Sequence, residues 1–120
     1  MTMIYHITTR RAWSEALRSG EYRTDSLETE GFIHCSTSAQ VLPVAQALYQ
    51  GGGKLLLLQI DPSRLTSELK WEPPAGGTPS GISEGDLFPH IYGPLNLDAV
   101  VKVFDLEMNP DGKYTLPILE

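Results

Sequence analysis

Leu55, Leu56, Leu57, Leu58 and Ile60 make one apolar run, bounded by Gly51, Gly52 and Gly53 on one side and stopped by Pro62 on the other. The run is far too short to span a bilayer, which takes about 20 apolar residues in a helix. An apolar run this short beside a glycine cluster reads as a central strand over 54–61, dry on both faces.

Around it the chain alternates strand and helix signals. Ile4-Tyr5-His6-Ile7-Thr8 is β-rich and predicts a first strand. Thr8 or Thr9 can cap the helix that follows, in which Trp13, Ala16 and Leu17 share a face and Gly20 takes the left-handed stop. Residues 21–30 are polar, lack a strong period and predict a connecting loop. Residues 31–36 predict a second short strand. Thr37 or Ser38 then caps a helix over 38–49, whose apolar positions are Val41, Val44, Ala45 and Leu48. Pro43 falls in its early turns and the three glycines end it. A phosphate-cradle reading of those glycines fails because no helix begins after them.

Beyond the leucine run, residues 63–65 predict one helical turn, and 68–72 alternate as a strand with one wet face. Residues 73–87 hold Pro73, Pro74, Gly76, Gly77, Pro79, Gly81 and Gly85, a density of breakers that leaves neither helix nor strand. So long a loop is more often functional than not, and here it can serve as a lid. Residues 88–95 follow, then a strand over 99–106, a turn at Asn109-Pro110-Asp111-Gly112 and an edge strand over 114–118, where Pro117 is tolerated. The sum is one α+β domain over residues 1–120: a split, bent, mostly antiparallel sheet of six or seven short strands with two main flanking helices.

Composition narrows the function. At 120 residues, 41% hydrophobic and 20% charged, the chain suits one folded core. Its net charge of −6, with no basic run, opposes general nucleic-acid binding. The first residues lack a charged n-region and an apolar h-region, so neither a signal peptide nor a membrane segment is expected. The lone Cys35 suits a reducing compartment, and the expected location is the cytoplasm.

The candidate site is built on His6, His34 and His90. Alternation puts His6 with Ile4 and Thr8, His34 with Phe32 and Ser36, and His90 with Tyr92, while Cys35 faces away from His34. Each histidine lies near an element end, where rigid scaffolds carry their sites. A strand histidine is more often a satisfied structural group than a ligand or catalyst, and a free cysteine more often a buried hydrophobe than a nucleophile. Trp71 and Phe88 read as core or loop anchors rather than stacking platforms. Three histidines match a zinc count, yet no HxH or HxxxH pair supplies local spacing, so no metal is expected. A cleft of neutral imidazoles, hydroxyls and rings can hydrogen-bond ribose and amide groups and stack on flat rings.

In Ile4-Tyr5-His6-Ile7, in Gly31-Phe32-Ile33-His34-Cys35-Ser36-Thr37, in Ile60-Asp61, in Leu69-Lys70-Trp71-Glu72 and in Phe88-Pro89-His90-Ile91-Tyr92-Gly93, the chain resembles the domain-of-unknown-function 952 family. More remotely it resembles the ADP-ribosyltransferase fold, in the branch of the RNA 2′-phosphotransferases, a split bent sheet with NAD in the cleft between its halves. That likeness implies NAD as cofactor or substrate. It implies His6 on the adenosine ribose, Thr8 near nicotinamide, His34 with Ser36 and Thr37 on the nicotinamide ribose, and His90 with Tyr92 closing the cleft. Ile7 departs from the small residue of that pattern, and no glutamate falls clearly in its third motif. The function expected is an NAD-binding or NAD-processing, ADP-ribosyltransferase-like enzyme. Its rivals are a metal-dependent hydrolase using the three histidines and a non-catalytic protein-binding module.

Overall fold

The leucine run is the dry interior strand that its composition requires. A computed structural model describes residues 2–49, 54–74, 77–83 and 85–119. Its elements are β1 (Ile4–Thr8), α1 (Arg10–Ser19), β2 (Glu21–Tyr22), α2 (Asp25–Thr29), β3 (Ile33–His34), α3 (Val41–Leu48), β4 (Leu55–Ile60), β5 (Glu68–Glu72), β6 (Phe88–Tyr92), β7 (Leu95–Asn96), β8 (Val100–Met108) and β9 (Tyr114–Thr115). Single 3-10 turns occupy Pro62–Arg64 and Leu97–Ala99.

Every residue of β4 is buried, and the strand lies between β1 and β8 in the order β1-β4-β8-β9. A second sheet runs β3-β6-β5, and β2 pairs with β7. All pairings are antiparallel. The edges of the two larger sheets meet at one bridge, where Tyr5 and Ser36 exchange backbone hydrogen bonds of 2.8 and 2.7 Å. The sheet therefore curls from β5 round to β9, hinged at that bridge.

Strand alternation sorts the interior into two halves. Ile4, Leu58 and Ile60 pack with Tyr22, Ile33, Ile91 and Leu95 on one side of the first sheet. Tyr5, Ile7, Leu55 and Leu57 pack with Val41, Ala45, Leu106 and Tyr114 on the other. Burying a leucine such as Leu57 or Leu58 is worth about 1.5–3 kcal/mol, so this alternation fixes the register of β1 on β4.

Local signals set the helix ends. Thr9 caps α1, its Oγ1 accepting the Ala12 N–H, and Gly20 closes it with a φ of 95° and an N–H bond to the Ala16 carbonyl. The caps expected for α3 are not used: Thr37 opens a turn, its N–H donating to Gln40 Oε1, and the helix starts at Val41. The glycines expected to end α3, at 51–53, lie outside the described residues.

Other expectations need correcting. The stretch 21–30 is not a plain loop, since it contains β2 and α2; Tyr22 is buried and paired with Leu95, a partner invisible to local periodicity. With β2, β7 and this third helix, the chain has nine strands and three helices among the described residues, against the six or seven strands and two helices expected. The second strand shrinks from 31–36 to Ile33–His34 and the last from 114–118 to Tyr114–Thr115. Trp71 is exposed on β5 rather than anchored in a core. The described part of 73–87 has no helix or strand, as its breakers predict. No helix among the described residues is long and apolar enough to cross a membrane.

Candidate functional site

A cleft of about 670 Å³ opens where the two larger sheets meet, and His6, His34 and His90 all line it. They come from β1, β3 and β6, so the curl of the sheet brings together residues 28 and more positions apart. Thr8 and Ser36 line the same space, as do Tyr22, Ser26, Tyr49 and Phe88. Pro74, Gly77, Thr78 and Pro79 of the breaker-rich loop form part of its wall, and Arg23 is the one Lys or Arg on it among the described residues. Thr37 and Tyr92 do not reach this cleft: Thr37 borders a smaller hollow beside Gln40, and Tyr92 turns to β5.

His6 is fully committed. Its Nδ1 lies 2.5 Å from the backbone carbonyl of His34, which can only accept, so Nδ1 carries the proton. Its Nε2 lies 2.8 Å from the Tyr22 hydroxyl, and that hydroxyl is also 2.7 Å from Thr8 Oγ1. The phenol can donate to Nε2 and accept from the Thr8 hydroxyl at the same time. Burial pushes the imidazole pKa down to about 4, outweighing the opposing pull of the His34 carbonyl. His6 is therefore neutral near pH 7, and its Nε2 lone pair takes the Tyr22 proton. Burial also pushes the Tyr22 phenol up to about 12.

His90 and His34 flank one ring, Phe32. His90 stacks on it with centroids 4.1 Å apart and planes 19° from parallel, while His34 meets it edge-on at 4.8 Å. The two imidazoles are 5.6 Å apart and nearly perpendicular. His34 has 44% of its side chain exposed and its Nε2 pairs with Glu30 Oε2 at 2.9 Å. His90 is only 2% exposed, and its Nδ1 lies 2.8 Å from Glu72 Oε1. The same carboxylate oxygen accepts the Tyr92 hydroxyl at 2.5 Å. These bonds, the Tyr92 one first, hold the Glu72 carboxyl below its usual range, and the carboxylate in turn pushes the Tyr92 phenol up.

Cys35 is buried in the core cluster beside the cleft, and burial pushes its thiol far up, so it is no nucleophile at neutral pH. Among the described residues no group of three or more His, Cys, Asp and Glu side chains is arranged to hold a metal ion.

Three residues matter here that sequence reasoning passed over. Glu72 was only a wet-face position of an alternating strand, Tyr22 sat in a stretch without period, and Phe32 was noted only as sharing a face with His34. Glu72 gains its meaning only from the pairing of β5 with β6, which sets Lys70 opposite His90 and Glu72 one pair further along, on the same face.

The family model described as "Protein of unknown function (DUF952)" matches residues 7–103. Among solved structures, the crystal structure of CC0527 from Caulobacter crescentus is similar, with a TM-score of 0.80 and 32% identity over 95% of this chain and 94% of that one. The solution NMR structure of CC0527 gives a TM-score of 0.76 and 33% identity over 94% and 91% of the two chains. No curated protein matches.

Proposed function

The chain belongs to the DUF952 family, and we propose that its histidine-lined cleft binds NAD or a related nucleotide and processes it in the manner of an ADP-ribosyltransferase-like enzyme. The observation that carries this reading is the convergence of His6, His34 and His90 on one cleft. Its volume of about 670 Å³ lies within the range of about 300–1,000 Å³ usual for small-molecule and cofactor sites.

The wall offers what such a ligand needs. Phe88, Tyr49 and Tyr22 supply aromatic surface for a base or nicotinamide ring. The hydroxyls of Thr8, Ser26 and Ser36 suit ribose oxygens. Arg23 can turn from its exposed partner Glu21 to a phosphate, a modest loss because exposed pairs are weak. A single guanidinium suits a mononucleotide or dinucleotide and agrees with a surface too acidic for a polynucleotide. The likeness of the His6 and His34 segments to the ADP-ribosyltransferase pattern adds an analogy of fold, which by itself fixes no chemistry.

The test is a titration of the full chain with NAD, followed through the imidazole ring signals in NMR. Shifts of His34 and His90 that saturate with ligand are expected. Unmoved ring signals at millimolar NAD overturn the reading.

A further inference from the structure

We infer that His90 is the proton acceptor of the cleft, its Nε2 lone pair aimed at the ligand by Glu72, and that the chemistry it serves is attack by a water or ribose hydroxyl on an electrophilic carbon. The inference rests on reading the cleft as a ligand site. It adds a base, a positioning residue and a class of reaction.

An ionised carboxylate only accepts, so the 2.8 Å contact between Glu72 Oε1 and His90 Nδ1 places the proton on Nδ1. A neutral His90 therefore keeps its lone pair on Nε2. Among the described residues no buried side-chain nitrogen or oxygen lacks a hydrogen-bond partner. Nε2 of His90 has no partner among the described residues, so part of the slight exposure of this ring falls on that atom, and the ring lines the cleft. Phe32 stacked beneath holds the plane of the imidazole. A base oriented from behind by a carboxylate, with its other nitrogen open to a ligand, is the arrangement that general-base catalysis needs.

The other two imidazoles lack it. Both nitrogens of His6 are engaged. His34 also has an acid partner, but that pair is exposed, so its hold on the ring is weak. The charged and titratable groups around His90 are Glu72 on β5, Tyr92 on its own strand, His34 on β3, and Lys70, its register partner, whose ammonium lies over the Tyr92 ring. Glu72 alone of these is bonded to it.

In the step itself, the attacking oxygen forms its bond to carbon as its proton passes to Nε2. The bond from that carbon to the leaving group breaks, and the leaving group departs with the electron pair. The imidazolium, balanced by Glu72, then returns the proton to the leaving group or to solvent.

The test reads the lone pair directly. Long-range proton–nitrogen correlation spectra of the full chain at mildly alkaline pH are expected to show His90 with a pyrrole-like Nδ1 and a pyridine-like Nε2. In Glu72→Gln the amide can donate to Nδ1, and the ring is expected to shift toward the opposite tautomer. Acylation of His90 by diethyl pyrocarbonate, followed by mass spectrometry, should slow by about tenfold in Glu72→Gln as the charge-assisted bond is lost. Tyr92→Phe removes the competing donor only and should keep both the tautomer and the rate. A wild-type His90 protonated on Nε2, or acylation equally fast in Glu72→Gln, overturns the inference. NAD that fails to slow the acylation of a correctly tautomerised His90 rejects the nucleotide and not the base.

Discussion

His6 reaches His34 through the backbone: its Nδ1–H donates to the His34 carbonyl, 28 residues along the chain, while the His34 ring turns outward to Glu30. One imidazole of the cleft is thus a strut between β1 and β3, and its neighbour is a solvent-facing side chain. The strut is buried and neutral, which makes folding depend on pH.

Because burial lowers the folded pKa of His6 from 6.5 to about 4, the unfolded chain binds more protons between those values. Stability from this group is complete above pH 6.5 and is lost as pH falls toward 4, amounting to about 3 kcal/mol at most. Denaturant titrations across that window should show stability rising with pH in the wild type and a flatter profile in His6→Gln. The carboxyls of Asp61 and Glu72, held below their usual range, lose their contribution at lower pH and are common to both proteins. Equal slopes in the two proteins would contradict the buried neutral imidazole.

Tyr22→Phe removes one oxygen and leaves His6 Nε2 buried without its donor. A loss of about 1–3 kcal/mol is expected, read as a lower urea midpoint at unchanged m. Thr8→Val should cost less, since the Tyr22 hydroxyl keeps His6 as its partner.

Gly93 has no room for a side chain. A Cβ there would lie 2.4 Å from Ser67 Oγ and 2.9 Å from Ser67 Cβ. Gly93→Ala should therefore destabilise by about 1–3 kcal/mol. Adding Ser67→Gly should recover part of the loss, and calorimetry of the four proteins of that cycle would expose the coupling. Strict additivity would refute the clash.

Phe32→Leu keeps an apolar plug and removes the ring on which His90 lies. A stability loss of about 0.5–1.5 kcal/mol follows from the lost stacking alone. The sharper readout is His90 mobility: relaxation of its ring signals should increase while those of His6 stay as they are.

The apolar strand β4, the cap at Thr9, the stop at Gly20 and the alternation of β1 were legible because each is written within a few neighbouring residues. So was the shared face of His90 and Tyr92, both of which reach Glu72. Tyr22 was not legible: a two-residue strand has no period, and its partners Leu95 and Asn96 lie more than seventy positions away. Glu72 was read as a solvated charge because its meaning depends on the register of β5 against β6, which sets Glu72 opposite Phe88 and Lys70 opposite His90. The cap at Thr37 lost to Gln40, whose side chain ties the turn at one end and the Leu87 carbonyl at the other, a tertiary contact no local rule anticipates.

Among the described residues, the strand that bears Glu72 has a neighbour on one side only. The position of the proton on the most buried imidazole is thus set from the rim, by a side chain on an edge strand. Relatives, or a designer, could retune this pocket by exchanging one perimeter side chain, leaving the leucine-built centre as it stands.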